Sequence, residues 1–247
     1  MNVFKGLNRI LNRSYSSVRS SILTTNDLIF NNSIKCELLA VEASDLAVVN
    51  SARISFDTEH TEMTKADTGL VGYLLRNKHG TPFEHGFFKF RVECPIFVIR
   101  EHHRHRTHSY NEMSGRYTLL NPHFYIPDKW RQQIGKPGSY SYIDFEENTD
   151  ELDELTKETY SKCWQTYLEL MEAGVAKEQA RMVLPVGIFT KMIWSCNPRS
   201  LMHFIGLRGD KSAQQEIQTV ARAGEEALKQ HMPVTYAAFV ANGRIAP

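Results

Sequence analysis

Hydrophobic and polar positions alternate most cleanly at Phe88, Phe90 and Val92, with Lys89, Arg91 and Glu93 between them. A period of two places the apolar set on one face, which predicts a half-buried antiparallel strand. Pro95 interrupts it, and Ile96–Ile99 carries the apolar run onward. Ile34–Glu42 reads as a further strand, with Leu38, Leu39 and Val41 apolar. Elsewhere the spacing is helical. Helices are expected over Asp45–Arg53 and over Thr64–Lys78, the second closed by Gly80 as a left-handed cap. A long helix is expected over Thr149–Ala173. Asp150, Glu151, Asp153 and Glu154 load its first turns with acid, as the helix dipole favours, and Gly174 ends it. Shorter helices are expected over Lys177–Val183, Pro198–Leu207 and Ser212–Gln230, and Gly135–Ser141 is expected to be a Gly/Pro/Ser-rich loop. No repeat or linker interrupts this pattern. The fold class it implies is α+β, a single domain over 33–247 with an antiparallel sheet and several long helices.

Composition narrows the picture. The 247 residues carry 29 Lys plus Arg against 28 Asp plus Glu, a net charge of +1. So even a balance speaks against a dedicated nucleic-acid-binding domain, and any basic cluster must be local, suited to a small anion. No uncharged apolar run reaches the ~18–20 residues that span a bilayer. Cys36, Cys94, Cys163 and Cys196 form no C-x-x-C pair, so paired-thiolate zinc and thioredoxin chemistry are not indicated, and free thiols in a reducing compartment are the default.

Residues 1–32 stand apart. Lys5, Arg9, Arg13 and Arg19 precede the first acidic residue, Asp27, serines cluster at 14–21, and Val3, Phe4, Leu7, Ile10 and Leu11 recur at helical spacing. This is the composition of an organellar transit peptide. A solvated extension with an accidental bias is the other reading, so the expected location is the mitochondrion or the cytoplasm.

The densest polar stretch runs from Arg100 to Tyr117 and holds four arginines and four histidines. A metal site on His102, His105 and His108 would set a divalent cation beside repelling guanidiniums, and no metal is expected. A solvated basic face is the bland alternative. Multi-donor Arg side chains with interleaved Ser, Asn, Tyr and Gly suit nucleotide phosphates, and Tyr110 and Tyr117 offer stacking faces for a ring. A second stretch surrounds Arg181 and then Asn197–Arg208. Asn197 before Pro198 reads as N-cap and N1 of a helix, whose exposed N–H groups and dipole would make, with Arg199, a second anion site. Arg199 and His203 share a face of that helix. A capped helix with ordinary surface arginines is the alternative. Gly-rich dinucleotide and triphosphate fingerprints are absent.

Arg104-His105-Arg106, seven further residues, Ser114 and then Arg116-Tyr117 resemble the signature of the flavin-dependent thymidylate synthases. Ala52–Phe56, His79–His85, Ala180–Pro185 and Asn197–Arg208 are similar to the same family, in the same order. The resemblance spans about Ile34 to Phe239. It implies an α+β homotetramer with active sites shared between subunits. It implies conversion of dUMP to dTMP with 5,10-methylenetetrahydrofolate as carbon donor, FAD as redox carrier and NADPH as reductant. By resemblance, FAD lies against His79, Thr81, Arg104, His105, Arg106, Glu112, Asn197, Arg199 and His203. The resemblance places dUMP against Glu101, Arg104, Glu112, Ser114, Gly115, Arg116, Arg181 and Arg208. Ser114, Arg116 and Arg181 suit a phosphate. By the same resemblance Arg208 is the expected catalytic residue, its cation favouring an N3-deprotonated or enolate-like uracil with more electron density at C5. Glu101 stands where an amide is common in the family, and His102 and His103 are assigned packing roles. Cys94 and Cys196 lie in no nucleophile motif and are expected to be packed thiols.

Overall fold

A computed structural model describes residues 27–137 and 139–247; the basic segment at 1–26, with the helix expected in it, lies outside the described residues. In chain order the elements are β1 (Ile29–Asn31), β2 (Lys35–Glu42), α1 (Asp45–Arg53), α2 (Lys65–Arg76), β3 (Phe87–Pro95), α3 (Ile96–His102), β4 (Ser109–Glu112), β5 (His123–Tyr125), β6 (Arg131–Lys136), β7 (Ser139–Asp144), α4 (Thr149–Glu172), α5 (Lys177–Ala180), β8 (Phe189–Cys196), α6 (Pro198–Arg208), α7 (Gln215–His231) and α8 (Pro233–Ala241). The main sheet is antiparallel in the order β2-β3-β8-β4.

Its centre is the alternating segment. Phe88, Phe90, Val92 and Cys94 of β3 are fully buried, whereas Lys89 and Arg91 face out. Phe90 stacks on Trp194 of β8 at 4.6 Å. The apolar sides of α1, α2, α6, α7 and α8 pack with this face into one core. A smaller core forms where α4 lays Trp164 and Tyr167 against Phe124 and Ile188. Asp45, the first residue of α1, is buried and accepts the Val234 and Thr235 backbone N–H at 2.9 and 2.8 Å, which satisfies the exposed end of α8. β1 pairs in parallel with β5, so the ordered chain includes residues ahead of position 33.

Several expectations are corrected. The left-handed residue after α2 is Lys78 (φ 59°), not Gly80, whose φ is −76°. Gly80 is needed instead because a Cβ there would come within 2.6 Å of the Arg199 guanidinium. Ile96–Ile99 is not a continuation of the strand but the start of α3. Ile96 and Phe97 donate their N–H groups to the carbonyls of Ile188 and Val186. Burial then follows a helical spacing through Val98, Ile99 and His102. A four-residue apolar run cannot separate the two periods; the neighbours decide. The expected loop over Gly135–Ser141 is mostly strand: Gly135 and Lys136 end β6 and pair with Tyr140 and Ser139 of β7. Lys177–Val183 splits into α5 and a tighter 3₁₀ turn at Arg181–Val183. The last of the expected helices begins at Gln215, not Ser212. Gly174, with φ 86°, does follow α4.

Candidate active site

The basic stretch leaves the core from α3. His102 is fully buried against Trp194 and Phe204, with ring centroids 4.5 and 4.6 Å away. The chain then turns back so that the Tyr110 hydroxyl lies 2.9 Å from both the His102 and His105 carbonyl oxygens. Tyr110 is therefore an internal anchor, not the stacking face expected of it. Tyr117 is left open, 77% exposed, with the Arg116 guanidinium 5.7 Å above its ring.

Burial keeps this histidine set neutral. It pushes His102 well below its ordinary value and brings His105 and His108 each to about 4. Arg208 adds to the effect on His105, and His203 to that on His108. Two of these rings are used as neutral acceptors. His105 Nε2 receives Arg208 Nε at 3.0 Å, and His108 Nδ1 receives Trp194 Nε1 at 2.9 Å. Among the described residues no group of His, Cys, Asp and Glu is arranged to hold a metal ion. The unfolded chain takes up protons on these rings below about pH 6.5 that the fold excludes until about pH 4. The stabilisation is thus complete above pH 6.5 and is lost as pH falls towards 4. We expect a lower Tm at pH 5 than at pH 7.5; an unchanged Tm across that interval would mean the rings are accessible to protons in the fold.

The residues singled out in the sequence gather in three groups. In the first, Ser114-Gly115-Arg116 packs on the turn that carries Arg181. A Cβ at buried Gly115 would lie 3.3 Å from Arg181 Cδ. Arg116 Nε donates to Glu178 Oε2 at 3.2 Å and Arg181 Nε to the Glu178 carbonyl at 3.4 Å. Nothing in the sequence marked Glu178. Glu112 stands on neighbouring β4, where Oε1 accepts from Thr190 Oγ1 at 2.8 Å.

The second group joins the ends of α3 and α6. Arg208 Nη1 donates to Glu101 Oε2 at 2.6 Å and Nη2 to the Glu101 carbonyl at 3.2 Å. Arg208 is thus the group that neutralises Glu101. Glu101 and Arg208 line an open cleft of about 850 Å³, walled on the far side by Arg131, Tyr140 and Tyr142 of the β6–β7 hairpin.

The third group centres on the start of α6. Asn197 is the N-cap, its side chain accepting the Ser200 N–H at 2.8 Å, with Pro198 at N1. Ser200 Oγ meets Thr107 Oγ1 at 3.0 Å, tying this helix to the basic stretch. Arg199 is not a free anion binder here. It donates to Glu84 Oε1 at 2.5 Å and to the Pro247 carbonyl at 2.8 Å, across Gly80. His79 and Thr81 are exposed on either side of Gly80, and His79 lies over Tyr73 at 5.8 Å. His203 is exposed one turn on, 5.7 Å from the His105 ring. Arg104 and Arg106, flanking buried His105, are exposed, and among the described residues neither has a hydrogen-bond or ion-pair partner. Two uncommitted guanidiniums beside a capped helix start fit a diphosphate.

The cysteines are packed. All four are free, Cys94 and Cys196 are buried, and burial pushes both thiols up, as it pushes Cys36 up to about 12.

Known proteins resemble this chain. The family model described as "Thymidylate synthase complementing protein" matches residues 37–234. A flavin-dependent thymidylate synthase of Streptomyces avermitilis is 43% identical over 237 residues, covering 88% of this chain and 95% of that protein. One from Thermotoga neapolitana is 45% identical over 204 residues, covering 83% and 89%. The solved structure of a UMP/dUMP methylase, PolB from Streptomyces cacaoi, bound with 5-Br UMP, superposes with a TM-score of 0.82 at 40% identity, covering 89% of this chain and 99% of that one. The chain is an enzyme and belongs to the flavin-dependent thymidylate synthase family.

Proposed function

We propose that this enzyme methylates dUMP to dTMP, with 5,10-methylenetetrahydrofolate as carbon donor, FAD as redox carrier and NADPH as reductant. Replacing the C5 proton of uracil by methyl requires a one-carbon unit and a reducing equivalent, and when bound FAD supplies the two-electron chemistry that no side chain possesses. The observation that carries the reading is the packing of Ser114-Gly115-Arg116 against Arg181, with two guanidiniums and a hydroxyl on one small surface. That set binds the nucleotide phosphate. Gly115 admits the close approach, and Arg181 and Arg116 give up their contacts with Glu178 to do so. Arg208 faces the uracil from the end of α6, with Glu101, Arg104 and Glu112 completing the substrate set. His79, Thr81, Arg104, His105, Arg106, Glu112, Asn197, Arg199 and His203 hold FAD. Its diphosphate suits the unpaired Arg104 and Arg106, and its ring suits the open side of His79.

No thiol acts as nucleophile in this reading. Buried Cys94 and Cys196 with raised thiols support that. Assembly into a homotetramer with shared sites is supported by Tyr117 and Met182, 77% and 76% exposed beside the phosphate group. The test is product formation by the purified protein. dTMP should appear when dUMP, methylenetetrahydrofolate, FAD and NADPH are all present and not when any one is withheld. Formation without flavin, or none with the full mixture, would overturn the proposal.

A further inference from the structure

Away from the three groups above, the fold buries a carboxylate that it satisfies on one side only. Glu216, in the first turn of α7, is 6% exposed. Its Oε1 accepts from the Tyr125 hydroxyl at 2.9 Å and from Arg131 Nη2 at 2.5 Å. Its Oε2 is buried and has no hydrogen-bond partner among the described residues. An unmet carboxylate oxygen is costly in a closed place, and native folds leave few of them.

Glu216 lines an open pocket of about 280 Å³ whose other walls are largely aromatic: Phe97, Tyr125, Trp130 and Tyr160. Phe97 and Tyr125 meet edge to face at 5.4 Å, and Trp130 is held by its Nε1, which donates to Asp153 Oδ1 at 2.8 Å. None of the residues assigned to flavin or nucleotide lines this pocket, although Arg131 and Gln214 also border the larger cleft. Charge around it is uneven. The cations are Lys129 and Arg131, paired with Asp144 and Glu216. Two further carboxylates, Asp128 and Asp153, act on Tyr125 and Trp130, so four negative groups face two positive ones.

An acceptor without a donor, aromatic walls and surplus negative charge together suit an organic cation. We propose that this pocket binds a small primary alkylammonium, whose nitrogen donates to Glu216 Oε2 and whose charge and methylenes lie against the aromatic rings. Oε1 stays with Tyr125 and Arg131, so the ligand adds a partner to the carboxylate without displacing one. The volume lies near the lower end of the range for ligand sites, which keeps the ligand small. A quaternary ammonium brings the charge without the N–H, and an alcohol brings a donor without the charge. Each meets half of what the pocket offers.

The probe is n-butylammonium chloride, titrated into the purified protein at pH 7.5 and constant ionic strength and followed by ligand-observed NMR. Saturable binding at one site per chain is the expected result. Glu216→Gln should weaken it about 10–100-fold, the scale of a charge-assisted hydrogen bond. Trp130→Leu should weaken it about 5–30-fold, the scale of a cation–π contact away from water. Butyltrimethylammonium and 1-butanol should each bind at least about tenfold more weakly than the amine.

Native affinity in a folded Glu216→Gln variant overturns the proposal. So does 1-butanol binding as tightly as the amine, since a neutral donor would then be enough, or the quaternary salt doing so, since Oε2 would then not be the acceptor. Binding that fails to saturate in the native protein and the variants alike would be counter-ion attraction alone, with Oε2 met by water, and overturns it too. Should Glu216→Gln fail to fold because Arg131 loses its counter-ion, Trp130→Leu carries the test, and native affinity in that variant overturns the proposal.

Discussion

Arg208→Ala should lower kcat/KM for dUMP methylation by about 10²–10³-fold, the range measured for removing one preorganised donor from a developing anion. Flavin content and Tm should stay near the native values. The guanidinium sits at the end of α6 with three protein contacts, on the wall of the open cleft. Its removal leaves Glu101 without its partner, but that carboxylate is 31% exposed and can hydrate, so the fold survives. Arg208→Lys should recover little, because a point charge cannot satisfy His105, Glu101 and the pyrimidine together. Steady-state kinetics with a flavin spectrum and a melting curve check this. Near-native turnover in the Ala variant would remove Arg208 from the chemistry.

Asp67→Ala should give the largest loss of stability, about 3–5 kcal/mol, because it leaves the half-buried Arg53 guanidinium without its counter-ion and the Thr64 and His60 hydrogen bonds without their partner. Asp67 is fully buried in the first turn of α2. It accepts Arg53 Nε and Nη2 at 3.0 and 2.7 Å, lies 2.8 Å from His60 Nδ1, and accepts the Thr64 N–H and hydroxyl at 3.0 and 2.7 Å. Burial alone would raise this carboxyl. The hydrogen bonds from Thr64, His60 and Arg53 outweigh that and hold it far below the usual carboxylate range. Its contribution is therefore complete above the unfolded value of about 4 and is lost only as pH falls below it, a lower window than that of the histidines. For a chain of this size the loss in the Ala variant corresponds to about 6–20 °C in Tm. Asp67→Asn, which still accepts hydrogen bonds, should lose less. A melting temperature within 2 °C of native in the Ala variant would show that Arg53 and His60 find other partners.

This network also explains a motif that the sequence alone left without a physical role. Within Ala52–Phe56, Arg53 is the partner of Asp67, while Ile54 and Phe56 are 71% and 81% exposed. An ion pair fourteen residues long in sequence carries no local signal. The same holds for Glu101 and Arg208, 107 residues apart, and for Glu178, which became visible only once α5 was seen packed under Arg116.

What was legible followed from period and punctuation. β3 showed because Lys89, Arg91 and Glu93 are charged between the buried Phe88, Phe90 and Val92. α4 and α6 showed because Gly174 and the Asn197-Pro198 pair mark their ends. Central β8 was missed although Thr190, Met192, Trp194 and Cys196 are all buried. A polar Thr among the inward positions and Ile193 among the outward ones blurred its alternation. The β6–β7 hairpin was taken for a loop because the residues of β7 are exposed on both faces, so no period of two could appear. α8 is short, has no cap from its own N-terminal residue Met232 and is apolar nearly all round, which leaves no stripe to read.

The measurement that tests the central claim most directly is the visible absorption spectrum of the purified protein, before and after NADPH is added without oxygen. A flavin band that bleaches with NADPH is the predicted result. A protein that stays colourless after incubation with FAD would contradict the account, and the unpaired Arg104 and Arg106 would then belong to a flavin-free nucleotide site.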